Sequence, residues 1–319
     1  MSTRIAAMFP GQGSQHVGMG AELAGAEPSV RRLYEEADEI LGLRLSRICH
    51  EGPEAELVRT ENAQPAILLH GFAVWTTLPS EVRSAVVIGA GHSLGEFTAW
   101  LAADGLSFGD ALRTVRRRGE LMAAAGDERR GTMAAILGLD PADVVRLCDE
   151  ISEATNGSNG TVVPANYNAP GQIVISGDVE AVEAACAAAL EAGARRAVPL
   201  SVSGAFHSPL MSGAREGLRH ALQNLELADP AFPVVANASA EPVVSGAEGK
   251  ERLVEQLTSP VRWVESITAM ERYEPELWIE PGPGSVLIGL LRRIERRRPV
   301  ASAGTPEDIE ALVEAFHAA

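Results

Sequence analysis

The chain has 319 residues, of which 46% are hydrophobic, and a formal net charge of −16. This length and apolar content predict one domain with an insertion, or two domains, and the negative charge argues against nucleic acid and anionic membranes as partners. Because no apolar run reaches the roughly 18 residues of a membrane helix and the N-terminus lacks a signal-peptide pattern, we expect a cytoplasmic protein.

The predicted elements begin with a buried strand, TRIAAMF, which runs into a glycine-rich turn. A second strand, AVVIG, leads through a serine between glycines into a helix, GEFTAWLAA. Strand-turn-helix units that are separated by helices predict a parallel α/β sheet. Both ends of the chain contribute to it, because three later segments are also strand-like: 231–239, 276–284 and 299–304.

The middle of the chain has a different order of elements. From Thr132 the pattern predicts strand, helix, two strands, helix and strand within about seventy residues, the βαββαβ order of a ferredoxin-like module. We therefore predict an α/β fold in which a large hydrolase-like parallel-sheet subdomain (1–131 and 204–319) carries an inserted ferredoxin-like small subdomain (132–203).

Ser93 is the first candidate for a catalytic residue. It lies in GHSLG at 91–95, a GxSxG pattern between a predicted strand and a predicted helix, which is the setting of a nucleophile elbow. There the glycines relieve crowding around a strained serine, and the helix N-terminus offers N–H groups to an oxyanion. The alternative is a serine of a structural glycine-rich loop.

A serine hydroxyl needs a base, and His207 is the best candidate. It follows the last predicted strand of the insert, where the chain re-enters the large subdomain. The adjacent His92 should leave the turn in another direction, which favours a packing or supporting role. No aspartate between Ser93 and His207 follows a clear strand, so we expect a Ser-His dyad whose imidazole is held by a backbone carbonyl or amide.

Arg118 falls on the apolar stripe of the predicted helix FGDALRTVRRRGELMAAA. A buried guanidinium must meet an anion. The partner is either a carboxylate of this chain, which the residues alone favour, or the carboxylate of a substrate.

Seven segments together resemble the malonyl-CoA:acyl carrier protein transacylase family and the related acyltransferase domains of polyketide synthases. In chain order they are FPGQGSQ (9–15), GHSLGE (91–96), RRG (117–119), NYNAPGQIVISG (166–177), GAFHSPLM (204–211), EQLTSPVRW (255–263) and EPGPG (280–284). The resemblance implies that a malonyl-serine forms on Ser93, with His207 as general base. The malonyl group then passes, in a ping-pong reaction, to the phosphopantetheine thiol of the carrier protein.

The resemblance also implies roles for other residues. Gln12 and Leu94 would supply the backbone N–H groups of an oxyanion hole, and the backbone carbonyl of Gln256 would orient the histidine. Arg118 would pair with the malonyl carboxylate, which reverses the preference stated above. Phe206 resembles the bulky residue of malonyl-selective members. The implied partners are malonyl-CoA and an acyl carrier protein, with no cofactor or metal bound by this chain.

Other features leave alternatives open. A thioesterase-like editing enzyme would use the same dyad with water as acceptor, and an inactive carrier-binding scaffold is a third possibility. Asn166 and Asn168 are expected in a loop near the cleft, with a structural turn as the alternative. Trp100 is bulkier than the family pattern suggests and should alter packing. For carrier docking we consider two arginine-rich segments, one at 292–298 and the pair Arg116 and Arg117.

Overall fold

A computed structural model describes residues 3–154 and 160–318. In the first half of the chain the elements are β1 (Ile5–Phe9), α1 (Ala21–Ala26), α2 (Pro28–Leu41), α3 (Leu45–Glu51), α4 (Glu54–Leu57), α5 (Thr60–Thr77), α6 (Ser80–Ser84), β2 (Val86–Gly91), α7 (Gly95–Ala102), α8 (Phe108–Glu128), β3 (Gly131–Leu137) and α9 (Pro141–Ala154). The second half contains β4 (Val162–Ala169), β5 (Gln172–Asp178), α10 (Val179–Glu191), β6 (Arg196–Pro199), α11 (Ser212–Leu222), β7 (Val234–Val235), β8 (Pro242–Val243), α12 (Gly246–Glu255), α13 (Trp263–Glu271), β9 (Leu277–Pro281), α14 (Val286–Ile294), β10 (Val300–Ala303) and α15 (Pro306–Ala318).

The larger sheet has the strand order β10-β9-β1-β2-β7-β8. The first five strands are parallel, and β8 pairs with β7 in the antiparallel direction. This confirms the predicted parallel sheet with strands from both ends of the chain. The segment at 231–239 forms only a two-residue strand, and Pro233, which has no N–H to donate, lies directly before it.

Strand β1 explains why the sheet is buried on both faces. Its five residues are fully buried, and they alternate between two cores. Ile5, Ala7 and Phe9 face the larger core, whereas Ala6 and Met8 face a smaller core that α13 and α14 cover. A strand with helices on both faces reads as a continuous apolar run, as IAAMF does.

The smaller sheet is antiparallel, with the order β4-β5-β3-β6. With α9 and α10 between its strands it has the predicted βαββαβ connectivity and its own core around Ile136, Ile173 and Val182. The strand predicted at 195–203 ends earlier, at Pro199. These findings confirm the fold class, and the subdomain boundaries at 132 and 203 stay a prediction.

Two further findings bear on the sequence-based expectations. Asn166 and Asn168 lie on strand β4, so their expected loop position is wrong: the edge strand continues through them and Tyr167 donates its N–H to Val261 O. Among the described residues, no helix combines the length and the apolar character that crossing a membrane requires.

Candidate active site

Ser93 lies at a sharp turn between β2 and α7. Its φ is 51°, a left-handed conformation that is rare for a residue with a side chain. Asn237, which follows β7, fixes this turn because its Oδ1 accepts from Ser93 N at 2.7 Å and its Nδ2 donates to Gly91 O at 2.7 Å. Parallel pairing of β2 with β7 brings the two turns to the same sheet edge.

The glycines around Ser93 permit close backbone approaches. A Cβ atom on Gly91 would lie 1.8 Å from the carbonyl carbon of Gly95, and a Cβ on Gly95 would lie 2.0 Å from Phe9 O. Both positions therefore exclude any larger residue, which is the physical reason for the glycines of GHSLG.

His207 faces Ser93 across the site, with its Nε2 2.8 Å from Ser93 Oγ. Its Nδ1 lies 2.9 Å from Gln256 O and 3.2 Å from Ser259 O. A carbonyl can only accept, so Nδ1 carries the proton and the lone pair of Nε2 is directed at the serine hydroxyl. The structure thus holds the imidazole with backbone carbonyls, as the sequence led us to expect.

The electrostatic surroundings keep His207 neutral. Burial lowers the pKa of its imidazole to about 3, and the charge of Arg118 acts in the same direction. The hydrogen bonds to the carbonyls of Gln256 and Ser259 act in the opposite direction but are weaker. A neutral imidazole is the form that can accept a proton from a serine hydroxyl.

Arg118 is 1% exposed and approaches the nucleophile directly. Its Nη2 donates to Ser93 Oγ at 3.0 Å and to Gln256 Oε1 at 2.8 Å, and its Nη1 donates to Gln64 Oε1 at 2.7 Å. Burial lowers the pKa of the guanidinium to about 10, so it remains charged at neutral pH. Within the part of the chain that the structure describes, it has no ion-pair partner, contrary to the ion pair that the residues alone favoured.

Three polar residues of this network were not singled out from the sequence. Gln64 and Asn237 hold Arg118 and the turn of Ser93, and Glu96 accepts from Gln256 Nε2 at 2.7 Å and from Asn237 N at 3.0 Å. Each is buried. The sequence signal that could have identified them is a polar residue within an apolar helix or shortly after a buried strand. All three residues match this description.

Gln12 and Leu94 lie beside Ser93, on the loop after β1 and at the start of α7. Phe9 of β1 is in register with Gly91 of β2, so the two loops leave the same sheet edge side by side. Neither the N–H of Gln12 nor that of Leu94 takes part in a hydrogen bond within the described residues. Two free N–H groups next to a serine are what an oxyanion hole needs.

Both subdomains line the cleft in front of Ser93, which has a volume of about 470 Å³. The large subdomain contributes Gln12, Leu94 and Arg118, and the small one contributes Met133, Asn166 and Asn168. Phe206, which is 6% exposed, lies in the same wall beside His207. A cleft of this size lies within the range of small-molecule binding sites.

His92 turns away from the serine, as expected. Its Nε2 lies 2.8 Å from Asn168 Oδ1, and its ring packs at 5.5 Å from the ring of Trp263. Since Asn168 belongs to the small sheet, His92 joins the two subdomains.

The arginines considered for docking differ in availability. Arg116 is engaged with Glu61 O, Asn62 Oδ1 and Glu120, and Arg117 is paired with Glu120. At the end of α14, Arg293 contacts Gln172 and Arg298 contacts Glu271. The free exposed arginines of that segment, within the described residues, are Arg292, Arg296 and Arg297.

Comparisons with known proteins agree with this geometry. The sequence profile of the acyl transferase domain matches residues 8–305. A malonyl CoA-acyl carrier protein transacylase of Bacillus subtilis is 46% identical over 98% of this chain and 97% of its own. The crystal structure of an acyl-carrier-protein S-malonyltransferase from Bartonella henselae has a TM-score of 0.92 at 40% identity, and 98% of this chain and 99% of that one are covered.

A further solved structure contains a partner. It is a malonyl-transacylase in complex with a holo acyl-carrier protein of a type II polyketide synthase. Its TM-score is 0.91 at 38% identity, and the comparison covers 99% of this chain and 100% of that one.

Proposed function

This chain belongs to the malonyl-CoA:acyl carrier protein transacylase family, and we propose that it transfers the malonyl group of malonyl-CoA to the phosphopantetheine thiol of an acyl carrier protein. It is an acyltransferase. Its product would supply extender units for fatty-acid or polyketide synthesis. The observation that carries the proposal is the buried Arg118, which has no ion-pair partner among the described residues and donates to the Oγ of a serine that a neutral histidine can activate.

The first half-reaction forms a malonyl-serine. Ser93 Oγ attacks the thioester carbonyl while His207 Nε2 takes its proton, and the N–H groups of Gln12 and Leu94 stabilise the oxyanion. As the intermediate collapses, the C–S bond breaks and His207 returns the proton to the CoA sulfur. The His207 Nδ1–H bond to Gln256 O keeps the ring in this orientation throughout.

The second half-reaction reverses the order. The pantetheine thiol, which belongs to the carrier protein, loses its proton to His207 and attacks the ester carbonyl. Ser93 then leaves and recovers the proton, so the enzyme ends as it began and the reaction is ping-pong. No cofactor of this chain takes part.

Arg118 selects the acyl group in this proposal. A malonyl carboxylate offers its guanidinium a charged partner, whereas an acetyl group leaves that charge without one, and the difference in free energy is several kcal/mol. Phe206 in the cleft wall would disfavour branched acyl groups.

The carrier protein would dock through the exposed arginines at the end of α14. Carrier proteins are acidic and so is this chain, which means that long-range attraction is weak and local arginines must act. Reversing the charge of Arg292, Arg296 and Arg297 together should raise the KM for the carrier and not that for malonyl-CoA; an unchanged carrier KM would reject the patch. We propose that the reaction takes place in the cytoplasm.

Mass spectrometry of the intact protein tests the proposal. Incubation with malonyl-CoA should add one malonyl group to the parent and none to Ser93→Ala. Adding a holo carrier protein should move the adduct to the carrier. Loss of the adduct as free malonate without transfer would instead indicate an editing hydrolase, and no adduct at all would indicate a scaffold.

A further inference from the structure

Glu96 is a buried carboxylate that the proposed mechanism does not use. It lies in the first turn of α7, is fully buried, and accepts two hydrogen bonds at Oε2, from Gln256 Nε2 and Asn237 N. Its Oε1 has no hydrogen-bond partner among the described residues. Burying a carboxylate with one oxygen unsatisfied is costly, so its presence two residues after Leu94 calls for an explanation.

A single side-chain amide joins Glu96 to Arg118. The Nε2 of Gln256 donates to Glu96 at 2.7 Å, and its Oε1 accepts from Arg118 at 2.8 Å. The amide dipole is thus aligned with a cation at its oxygen end and an anion at its nitrogen end. The same residue holds His207 through its backbone carbonyl and donates to Ser93 O at 2.9 Å.

Within the described ranges, the hydrogen-bond acceptors of Arg118 are all neutral: Gln64, Gln256 and Ser93. The negative charge that acts on the guanidinium is that of Glu96, which opposes the effect of burial on the pKa of Arg118. A substrate carboxylate on Arg118 would bring a second negative charge close to the first one. In a buried site two such charges repel appreciably.

We propose that Glu96 is the resident counter-charge of Arg118 and that it weakens the hold of Arg118 on the malonyl carboxylate. The inference rests on the proposed function. Glu96 acts through Gln256 and does not touch the substrate, so it is a positioning residue. An uncompensated Arg118 would bind the malonyl group more tightly in the substrate complex, the acyl-enzyme and the product complex alike, which slows release without speeding the chemical steps.

Binding to the Ser93→Ala variant tests this without turnover. In that background Glu96→Gln keeps the shape and an acceptor for Gln256 Nε2 but removes the charge. We expect the Kd for malonyl-CoA, measured by calorimetry, to fall about tenfold, the size of a charge-charge effect at this depth. The Kd for acetyl-CoA, which has no carboxylate, should stay unchanged.

A pH series gives a second measurement that needs no change at Glu96. Burial raises the pKa of Glu96 to about 7. The charge of Arg118 on α8 lowers this pKa and that of Glu255 on α12 raises it, both by less than burial does. The His207 imidazole faces Arg118. In Ser93→Ala, lowering the pH from 8 to 6 should therefore lower the Kd for malonyl-CoA relative to the Kd for acetyl-CoA. The two ligands carry the same phosphates, so effects of pH on the phosphates cancel in the comparison.

The outcomes separate the two proposals. A purely structural role for Glu96 predicts equal changes for both thioesters, or no change, and either result overturns the inference while leaving the malonyl preference intact. If Ser93→Ala binds malonyl-CoA no better than acetyl-CoA, both the inference and the role of Arg118 are wrong.

Discussion

Ser93 and His207 face each other at 2.8 Å, and both have a left-handed φ, 51° and 58°. Each such residue costs on the order of 1–3 kcal/mol and persists only where the surroundings enforce it. The Asn237 side chain and the glycines of the turn enforce it at Ser93.

The Gly91→Ala variant should lose at least about 3 kcal/mol of its free energy of unfolding, because the new methyl group would overlap the backbone of Gly95. Urea denaturation measures this. Gly289→Ala in α14 is the matched control: outside its own stretch of helix, no described atom lies within 4 Å of its Cβ position, and alanine there should add up to about 1 kcal/mol. Similar midpoints for the two variants would contradict the close approach.

The Asn237→Ala variant should lose about 2 kcal/mol or more, because Ser93 N and Gly91 O would be left buried without partners. The rate of acylation by malonyl-CoA should also fall, because the side chain that fixes the turn at Ser93 is removed. Thr268→Ala, which removes an exposed hydroxyl bonded to its own helix, should change neither stability nor rate. Full activity in Asn237→Ala would mean that the turn is held by the glycines alone.

The rate of acylation should not decline as the pH falls from 6.5 to 5.5. The active base is neutral His207, and burial lowers its pKa to about 3, so protonation begins only far below this range. A histidine with an ordinary pKa of about 6.5 would lose roughly fivefold of its neutral, active form over that unit. Stopped-flow measurement of CoA release distinguishes the two cases, and a roughly fivefold loss of rate would show that His207 is not desolvated in solution.

The lowered pKa of His207 also makes the free energy of unfolding depend on pH. In the unfolded chain His207 takes up a proton near pH 6.5, whereas the folded protein resists this until about pH 3. Its neutral form therefore favours the folded state, a contribution that is complete above pH 6.5 and is lost as the pH falls toward 3.

The sequence predicted both sheets, and the motifs implied the geometry of Ser93, His207 and the Gln256 carbonyl. Short apolar runs bounded by turn residues and the GxSxG pattern are local signals, so they are readable in one segment. Glu96, Gln64 and Asn237 could not be placed in this way, because their hydrogen bonds join residues 54 to 160 positions apart. Asn166 and Asn168 look like turn residues, yet both lie on β4, whose residues on either side of Asn168 pair with β5.

Replacing Arg118 by alanine should lower kcat/KM for malonyl-CoA about 100-fold, the effect of losing about 3 kcal/mol of charged hydrogen bonds. Use of acetyl-CoA should not fall. Arg113→Ala on the same helix is the control, since that arginine is exposed and paired only with Asp110 among the described residues. Malonyl-CoA used by Arg118→Ala as well as by the parent would reject the carboxylate role.

The indole of Trp100 packs closely against helix α12 at Gly249. Trp100 is 1% exposed, and a Cβ on Gly249 of α12 would lie 2.1 Å from its Cζ2 atom. The bulky residue that stands out in the sequence is thus accommodated by a glycine on a facing helix. Gly249→Ala should lower the free energy of unfolding of the parent by about 1–3 kcal/mol, because the rigid, buried indole cannot move away from the new methyl group.

In a Trp100→Leu background the same Gly249→Ala change should be neutral or stabilising by up to about 1 kcal/mol, because the space is free and alanine favours the helix. Free energies of unfolding of the four proteins should therefore give a coupling of about 2 kcal/mol. Equal effects of Gly249→Ala in both backgrounds would mean that the indole and α12 do not contact each other. Malonyl transfer should persist in the double variant, because neither residue lines the cleft in front of Ser93.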